Sequence, residues 1–177
     1  SSALLEQVAQ DVISSAFEAA GQRCSALRVL CIQDDVADRL LDMIKGAMAE
    51  IRMGMPAQLH TDMGPVIDLR ALEGIEAHVS KMQAMGCPVH RIHHTKSLTG
   101  QGSFVPPTLI EIEHMAQLGR EVFGPVLHVL RWHRDQLDDL LAQINATGYA
   151  LTLGVHSRID ETIAHVVQGT HAGNTYV

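Results

Sequence analysis

Cys24 is the residue of this 177-residue sequence that is best suited to nucleophilic chemistry. It lies in the segment Gly21–Ser25, between a predicted helix and a predicted strand. Ligands of α/β domains commonly bind in loops at strand ends. A cationic neighbour, Arg23, favours the thiolate, which is the nucleophilic form. An arbitrary cysteine is more often a small buried hydrophobe, and Cys31 and Cys87 are interpreted in that way.

A second candidate is the segment Glu121–Val126, which leads into a predicted strand. Its Gly-Pro pair favours a turn that displays Glu121 and Phe123 in front of that strand. A carboxylate can accept hydrogen bonds from a ribose diol, and an aromatic ring can pack against a flat cofactor. The alternatives are a solvated surface carboxylate and a phenylalanine of the hydrophobic core.

Helical and strand patterns alternate along the chain around these two segments. Apolar periodicity predicts helices at about 3–19, 34–51, 68–85, 135–145 and 160–167, and strands at 27–32, 88–92, 105–112, 126–132, 151–156 and 174–177. Residues 53–65 and 93–102 are predicted to be loops because they are rich in turn-forming residues. Pro106 and Pro107 cannot donate to a central ladder, so 105–112 is predicted to be an edge strand.

Strands separated by helices of ten or more residues require right-handed crossovers. The sequence therefore predicts a three-layer α/β fold, in which a mostly parallel sheet carries helices on both faces. The length fits one domain, residues 1–177, with a single sizeable core.

Composition excludes several classes of function. Hydrophobic residues make up 46% of the chain and charged residues 19%, as in folded domains. The net charge is −7 and no basic run occurs, so neither nucleic acid nor an anionic membrane is an expected partner. The apolar stretches are far shorter than the roughly 20 residues of a membrane span, and no secretory signal pattern is present.

The cysteines and histidines do not predict a metal site or a disulfide framework. Three widely spaced cysteines form neither pattern, and we expect a reducing cytoplasm. His90, His93 and His94 fall in a polar segment rather than on one helix face, so no metal is expected there.

The two chemical segments together resemble the aldehyde dehydrogenase superfamily, in which Gly21–Cys24 looks like the nucleophile loop and Glu121–Val126 like the cofactor-contacting motif. Further segments extend the resemblance over essentially the whole chain: Gly64–Ile67, Phe104–Leu109, Tyr149–Thr152 and Gly173–Val177. The narrower resemblance, on Gly21–Leu30, Arg131-Trp132 with Asp135–Leu137, and Gly154–Thr162, is to the L-glutamate γ-semialdehyde (1-pyrroline-5-carboxylate) dehydrogenase module of bifunctional bacterial proline utilisation A proteins.

The resemblance implies roles for individual residues. Cys24 would attack the aldehyde carbon, and its backbone N–H would stabilise the oxyanion of the thiohemiacetal. Hydride would pass to NAD, and water would hydrolyse the resulting thioester. Glu121 would hold the nicotinamide ribose, Phe123 would pack near the nicotinamide ring, and Ser25 would bind the distal carboxylate of the substrate. Asn174 would be a structural residue at a strand end.

The resemblance also implies what should lie outside this segment. Nothing in the sequence resembles the Gly-x-Gly-x-x-Gly pattern of a dinucleotide-binding domain, which we expect upstream. The substrate-anchoring loop is expected beyond Val177, and FAD only in a separate proline dehydrogenase domain. The expected partners are thus the aldehyde, the rest of the same polypeptide and further copies in a homo-oligomer, and the segment alone is expected to be inactive.

Three alternative functions remain open at this point. The same cysteine would serve a dehydrogenase for a different aldehyde or a thioester-forming acyl reductase. A third possibility is a structural aldehyde-dehydrogenase-like domain that aids oligomerisation. Retention of Cys24, Glu121 and Phe123 argues against that third possibility, since a structural copy needs none of them.

Overall fold

The structure, a computed structural model, describes residues 2–92, 102–149 and 151–177. Five helices are named in chain order: α1 (Leu5–Phe17), α2 (Asp34–Glu50), α3 (Leu69–Ala84), α4 (Leu137–Ala146) and α5 (Asp160–Gly169). Six strands are β1 (Val29–Gln33), β2 (Val89–Arg91), β3 (Thr108–Ile112), β4 (Val126–Trp132), β5 (Thr152–Gly154) and β6 (Asn174–Tyr176).

Four strands form the main sheet, in the order β1-β4-β3-β2. β4 is parallel to both β1 and β3, with Val29 opposite His128 and Thr108 opposite Val126. Only β2 runs antiparallel, beside β3. The main sheet is therefore mostly parallel, and the segments that precede β1, β3 and β4 emerge side by side at one edge.

Both faces of the main sheet are covered. Consecutive residues of a strand point to opposite faces, and all five residues from Val126 to Leu130 are buried. The paired helices α1 and α2 pack against β1 and β4, whereas α3 packs against β2. The result is the three-layer α/β architecture that the sequence predicts.

A smaller sheet lies near the end of the chain. It consists of β5 and β6, which are parallel, and α4 and α5 contact one another. Asn174 is the first residue of β6, and its backbone N–H donates to Leu151 O at 3.0 Å. This position agrees with a structural role at a strand end.

The predicted elements are present, with small shifts of their ends. The third helix was predicted to begin at Asp68, which caps α3: its side chain accepts a hydrogen bond from the backbone N–H of Ala71 at 2.8 Å. Gly86 follows α3 with a φ of 82°, the left-handed conformation that ends many helices. The loop prediction for 93–102 lies outside the described residues except for its last position.

The prediction of an edge strand at 105–112 was wrong. β3 begins only at Thr108 and lies between β4 and β2. The first hydrogen bond from β3 toward β4 is donated by Thr108, whose backbone N–H donates to Pro125 O at 2.9 Å. Pro106 and Pro107 precede the strand, where a missing N–H costs no ladder bond.

Among the described residues, no helix combines the length and the apolar character that crossing a bilayer requires.

Candidate active site

The nucleophile and cofactor segments meet at the amino ends of two adjacent parallel strands. Gly21–Ser25 precedes β1, and Glu121–Pro125 leads directly into β4. The general rule for open α/β sheets places ligands at the carboxyl ends of strands. The two segments lie instead at the amino ends of β1 and β4. The rule therefore correctly predicted a site at strand ends, but it predicted the wrong end of the strands.

The backbone changes from a right-handed to a left-handed helical conformation at the start of the nucleophile segment. Ala19, Ala20 and Gly21 have φ values of 54°, 51° and 61°, so the right-handed helix α1 is followed by one left-handed turn. A left-handed alanine costs roughly 1–2 kcal/mol, which the surrounding contacts must offset. Such strain is typical of sites whose geometry is fixed by function.

Cys24 and Ser25 occupy the two central positions of a tight turn. The backbone N–H of Ala26 donates to Arg23 O at 3.1 Å and closes this turn. Cys24 and Ser25 are both exposed, whereas Ala26 is buried beneath them. The turn therefore presents a thiol and a hydroxyl side by side at the surface.

Arg28, rather than the expected Arg23, supplies the cation of the site. The Arg23 guanidinium donates to Ser14 O at 3.3 Å, near the carboxyl end of α1. Burial lowers the pKa of Arg28, while its hydrogen bond to Glu121 and the charges of Glu121 and Cys24 act in the opposite direction. The positive charge of Arg28 thus interacts with Cys24.

The Arg28 guanidinium also contacts both segments directly. Nη2 donates to Arg23 O at 2.9 Å, and Nη1 donates to Gly21 O at 2.5 Å and Gly124 O at 3.4 Å. Nε donates to Glu121 Oε1 at 3.4 Å, and the guanidinium carbon lies 4.6 Å from the centre of the Phe123 ring. One side chain therefore joins the two segments.

Glu121 and Phe123 are displayed in front of β4, as predicted. The Glu121 side chain is 30% exposed, and Phe123 is 45% exposed. The backbone N–H of Glu121 donates to Tyr149 Oη at 2.6 Å, which fixes the start of this segment. A partly open carboxylate beside a partly open ring suits a ribose diol and a planar ring, so these residues fit the nicotinamide end of NAD.

Gln22 connects the nucleophile segment to the loop before α3. Its Oε1 accepts from the backbone N–H of Ile67 at 2.8 Å, and its Nε2 donates to Pro65 O at 3.4 Å. Sequence reasoning assigned no role to Gln22 or Arg28. A positive charge within the apolar run 27–32 was a usable signal for Arg28, whereas nothing in the local sequence reveals the distant partner of Gln22.

Cys31 and Cys87, which were predicted to be buried, are partly buried and pack against the hydrophobic core. Burial raises the pKa of Cys31 to about 12, so its thiol stays protonated at neutral pH. The Sγ atom of Cys87 accepts from Gln117 Nε2 at 3.7 Å. Within the described ranges no group of three potential metal ligands occurs, and His93 and His94 lie outside them.

A buried histidine pair lies directly beneath the site. His78 and His128 approach at 2.8 Å between their Nε2 atoms. His128 Nδ1 lies 3.1 Å from Arg28 O and donates to it, so its Nε2 accepts from His78. Burial, reinforced by the neighbouring His78, lowers the pKa of His128 to about 4. Burial, reinforced by the charges of Lys81 and Arg120, also lowers the pKa of His78, so both rings are neutral at pH 7.

Together these features define an α/β domain in which an exposed cysteine on a tight turn lies beside a segment that displays a carboxylate and an aromatic ring. A model of the aldehyde dehydrogenase family matches residues 1–177, and the chain belongs to this family.

Within this family, the chain is similar to two groups of curated proteins. The chain is 60% identical over 181 residues to the bifunctional protein PutA of Salmonella typhimurium, covering 100% of the chain and 14% of that protein. It is 33% identical to the 1-pyrroline-5-carboxylate dehydrogenase of Bacillus thuringiensis, covering 97% of the chain and 33% of that protein. The chain thus spans only a small part of these relatives.

Solved structures agree with this likeness. A crystal structure of a Bradyrhizobium japonicum proline utilization A (PutA) mutant superposes with a TM-score of 0.93 at 45% identity, covering 99% of this chain and 18% of that one. A structure of PnpE in complex with nicotinamide adenine dinucleotide superposes with a TM-score of 0.90 at 26% identity, covering 98% of this chain and 36% of that one.

Proposed function

We propose that this chain is the nucleophile-bearing part of an NAD-dependent L-glutamate γ-semialdehyde dehydrogenase, which catalyses the second step of proline catabolism within a longer bifunctional polypeptide. One observation carries the proposal: an exposed cysteine on a tight turn lies beside a segment that displays Glu121 and Phe123. The 60% identity to a bifunctional PutA protein supports the choice of substrate and pathway.

Cys24 supplies the nucleophile. Its thiolate adds to the aldehyde carbon and gives a thiohemiacetal, whose oxyanion accepts a hydrogen bond from the Cys24 backbone N–H. Loss of hydride from this carbon leaves a thioester on Cys24. Hydrolysis of the thioester releases the carboxylic acid and returns the cysteine.

Glu121 and Phe123 hold the cofactor. With NAD bound, the Glu121 carboxylate would accept hydrogen bonds from the ribose hydroxyls, and Phe123, whose ring contacts Arg28, would pack near the nicotinamide. NAD, when bound, supplies the hydride acceptor.

Ser25 selects the substrate. It neighbours Cys24 on the same turn, is exposed, and carries a hydroxyl that can donate to the distal carboxylate of glutamate γ-semialdehyde. An aldehyde with a charged far end gains from such a donor, whereas an uncharged aldehyde does not.

The rest of the polypeptide completes the enzyme. We place the dinucleotide-binding domain, the substrate-anchoring loop and an FAD-containing proline dehydrogenase domain outside this chain, in a homo-oligomeric cytoplasmic protein. The chain alone would then be inactive.

The experiment uses the complete polypeptide and follows NADH formation from NAD with glutamate γ-semialdehyde, with an uncharged aldehyde such as propanal and with no substrate, and NADH consumption with an acyl thioester. Oxidation of the semialdehyde that is lost in Cys24→Ala supports the proposal. Oxidation only of other aldehydes identifies a different dehydrogenase, thioester reduction identifies an acyl reductase, and a protein that oligomerises without either activity is a structural domain.

A further inference from the structure

Arg28 makes contacts that exceed what the start of a β-strand requires. Its side chain is only 16% exposed and reaches three backbone carbonyls, one carboxylate and one aromatic ring. We propose that Arg28 is a positioning residue for the dehydrogenase reaction, in that it fixes the nucleophile turn relative to the cofactor-contacting segment. This inference rests on the proposed function.

The first support is the distribution of the contacts. Nη1 holds Gly21, which precedes the turn that presents Cys24, and Nη2 holds Arg23, the first residue of that turn. Nη1 and Nε hold Gly124 and Glu121, which frame the cofactor segment. These residues are about a hundred positions apart in the chain, so the guanidinium determines a distance that local folding leaves free.

The second support is the geometry of the donor group. A guanidinium carries five N–H donors in a rigid plane, whereas an ammonium is a point donor on a flexible stem. Only the planar fork can hold carbonyls on both segments at once and keep its flat face against Phe123. A lysine at this position would preserve the charge and lose the fixed geometry.

The third support is energetic. A partly buried cation is an expensive way to stabilise a loop, because apolar residues of similar volume do so without a desolvation penalty. A displacement of about 1 Å in an active site, by contrast, can cost on the order of a hundredfold in rate. Arg28 is therefore better explained by alignment of the reacting groups than by stability alone.

The test compares Arg28→Lys and Arg28→Gln with Arg131→Gln in the complete polypeptide. Arg131 is a matched control, since it joins Glu111 at 3.2 Å and Asp38 at 2.7 Å near the opposite end of β4. Each variant is assayed for its melting temperature, its kcat and its KM for NAD. The alkylation rate of Cys24 by iodoacetamide, with and without NAD, is followed on the Cys24 peptide by mass spectrometry.

We expect both Arg28 variants to lower kcat at least about tenfold and to raise the KM for NAD severalfold, while Arg131→Gln changes each less than about twofold. NAD should change the alkylation rate of Cys24 in the wild type and have no effect in Arg28→Lys. Values for Arg28→Lys that match Arg131→Gln would overturn the inference, as would full kcat per folded molecule. Arg28→Lys decides the question if Arg28→Gln does not fold.

The alkylation measurement separates this inference from the proposed function. A wild-type protein that oxidises no glutamate γ-semialdehyde contradicts the proposed function alone. The effect of NAD on Cys24 alkylation then decides the role of Arg28, and an unchanged rate in the wild type also counts against it.

Discussion

Gly21 and Gly124 approach so closely that a β-carbon on Gly21 would lie 2.1 Å from the carbonyl oxygen of Gly124. The backbone N–H of Gly124 donates to Gly21 O at 3.3 Å, so the two glycines join the nucleophile and cofactor segments through their backbones. Gly21 also has a φ of 61°, which a side chain disfavours. A glycine is thus required at this position for both space and conformation.

Gly21→Ala should therefore destabilise the complete polypeptide by at least about 2 kcal/mol, since strain in φ and a clash with backbone atoms add together. Gly46→Ala is the control, because a β-carbon there meets nothing within 4 Å in the middle of α2. It should be neutral or stabilise by about 0.5–1 kcal/mol. Denaturant unfolding measures both, and equal stabilities would contradict the close approach.

Cys24→Ala and Cys31→Ala should have opposite effects. Removal of Cys24 should abolish aldehyde oxidation and leave the melting temperature almost unchanged, since the side chain is exposed. Removal of Cys31 should spare activity and cost about 1 kcal/mol, because its side chain packs against the core. Kinetics and thermal unfolding report the two effects. Loss of activity in a folded Cys31→Ala protein would show that the nucleophile was assigned wrongly.

Ser25→Ala should reveal the substrate. A hydrogen bond to a charged group is worth about 1.5–3 kcal/mol, so kcat/KM for glutamate γ-semialdehyde should fall roughly 10- to 150-fold. Propanal, which has no carboxylate, should lose far less. Equal losses for the two aldehydes would mean that Ser25 only shapes the turn, and the assignment of the substrate would fail while that of the reaction class remained.

Acid should destabilise the fold through His128. Its pKa is about 4 in the fold because of burial, below the ordinary 6.5, so folding favours the neutral ring. The resulting stability is fully present above pH 6.5 and is lost as the pH falls toward 4. Linkage gives a loss of roughly 2 kcal/mol between pH 7 and pH 5.

Denaturant unfolding at these two pH values measures the loss. His128→Gln should remove most of the difference between pH 7 and pH 5, whereas the same substitution at the exposed His60 should leave it unchanged. An acid sensitivity that persists in His128→Gln would assign the effect to other groups.

The 177-residue chain alone should bind no measurable NAD and oxidise no aldehyde. Glu121 and Phe123 are the cofactor contacts that we propose for it, and two side chains do not offset the translational and rotational freedom lost on association. Isothermal calorimetry at micromolar cofactor tests this expectation. Saturable binding would mean that the chain carries a more complete cofactor site than we infer.

The local sequence pattern predicts the helices and strands of this fold well, but it predicts the order of the strands in the sheet less well. The apolar run Val126–Trp132 predicted β4 with correct ends, because burial on both faces leaves a continuous hydrophobic signature. The central place of β3 was missed because the two prolines stand before the strand rather than in it. Which strand pairs with which is decided by contacts that the local sequence does not encode.

In the candidate site, too, local motifs could be predicted from the sequence, whereas contacts between distant residues could not. Cys24, Glu121 and Phe123 could be predicted as site residues because motifs are local, and the structure brings their segments together. The positions of Cys24 and Ser25 in one turn follow from the Arg23–Ala26 hydrogen bond, which short-range spacing allows but does not require. The contacts of Gln22 with Ile67 and of Arg28 with Glu121 could not be predicted, because the partners lie 45 and 93 positions away along the chain.

The small sheet of β5 and β6 affects which part of the chain unfolds locally first. Of the ten residues of α5, all of them described, none is buried, and each strand of this sheet has a single neighbour. Two-stranded sheets are marginal in water, and weakly buried segments open without global unfolding. We therefore expect backbone amides of β5 and β6 to exchange with solvent deuterium sooner than those of β4. The chain would then contain two cooperative units of unequal lifetime, with Cys24 in the slower one.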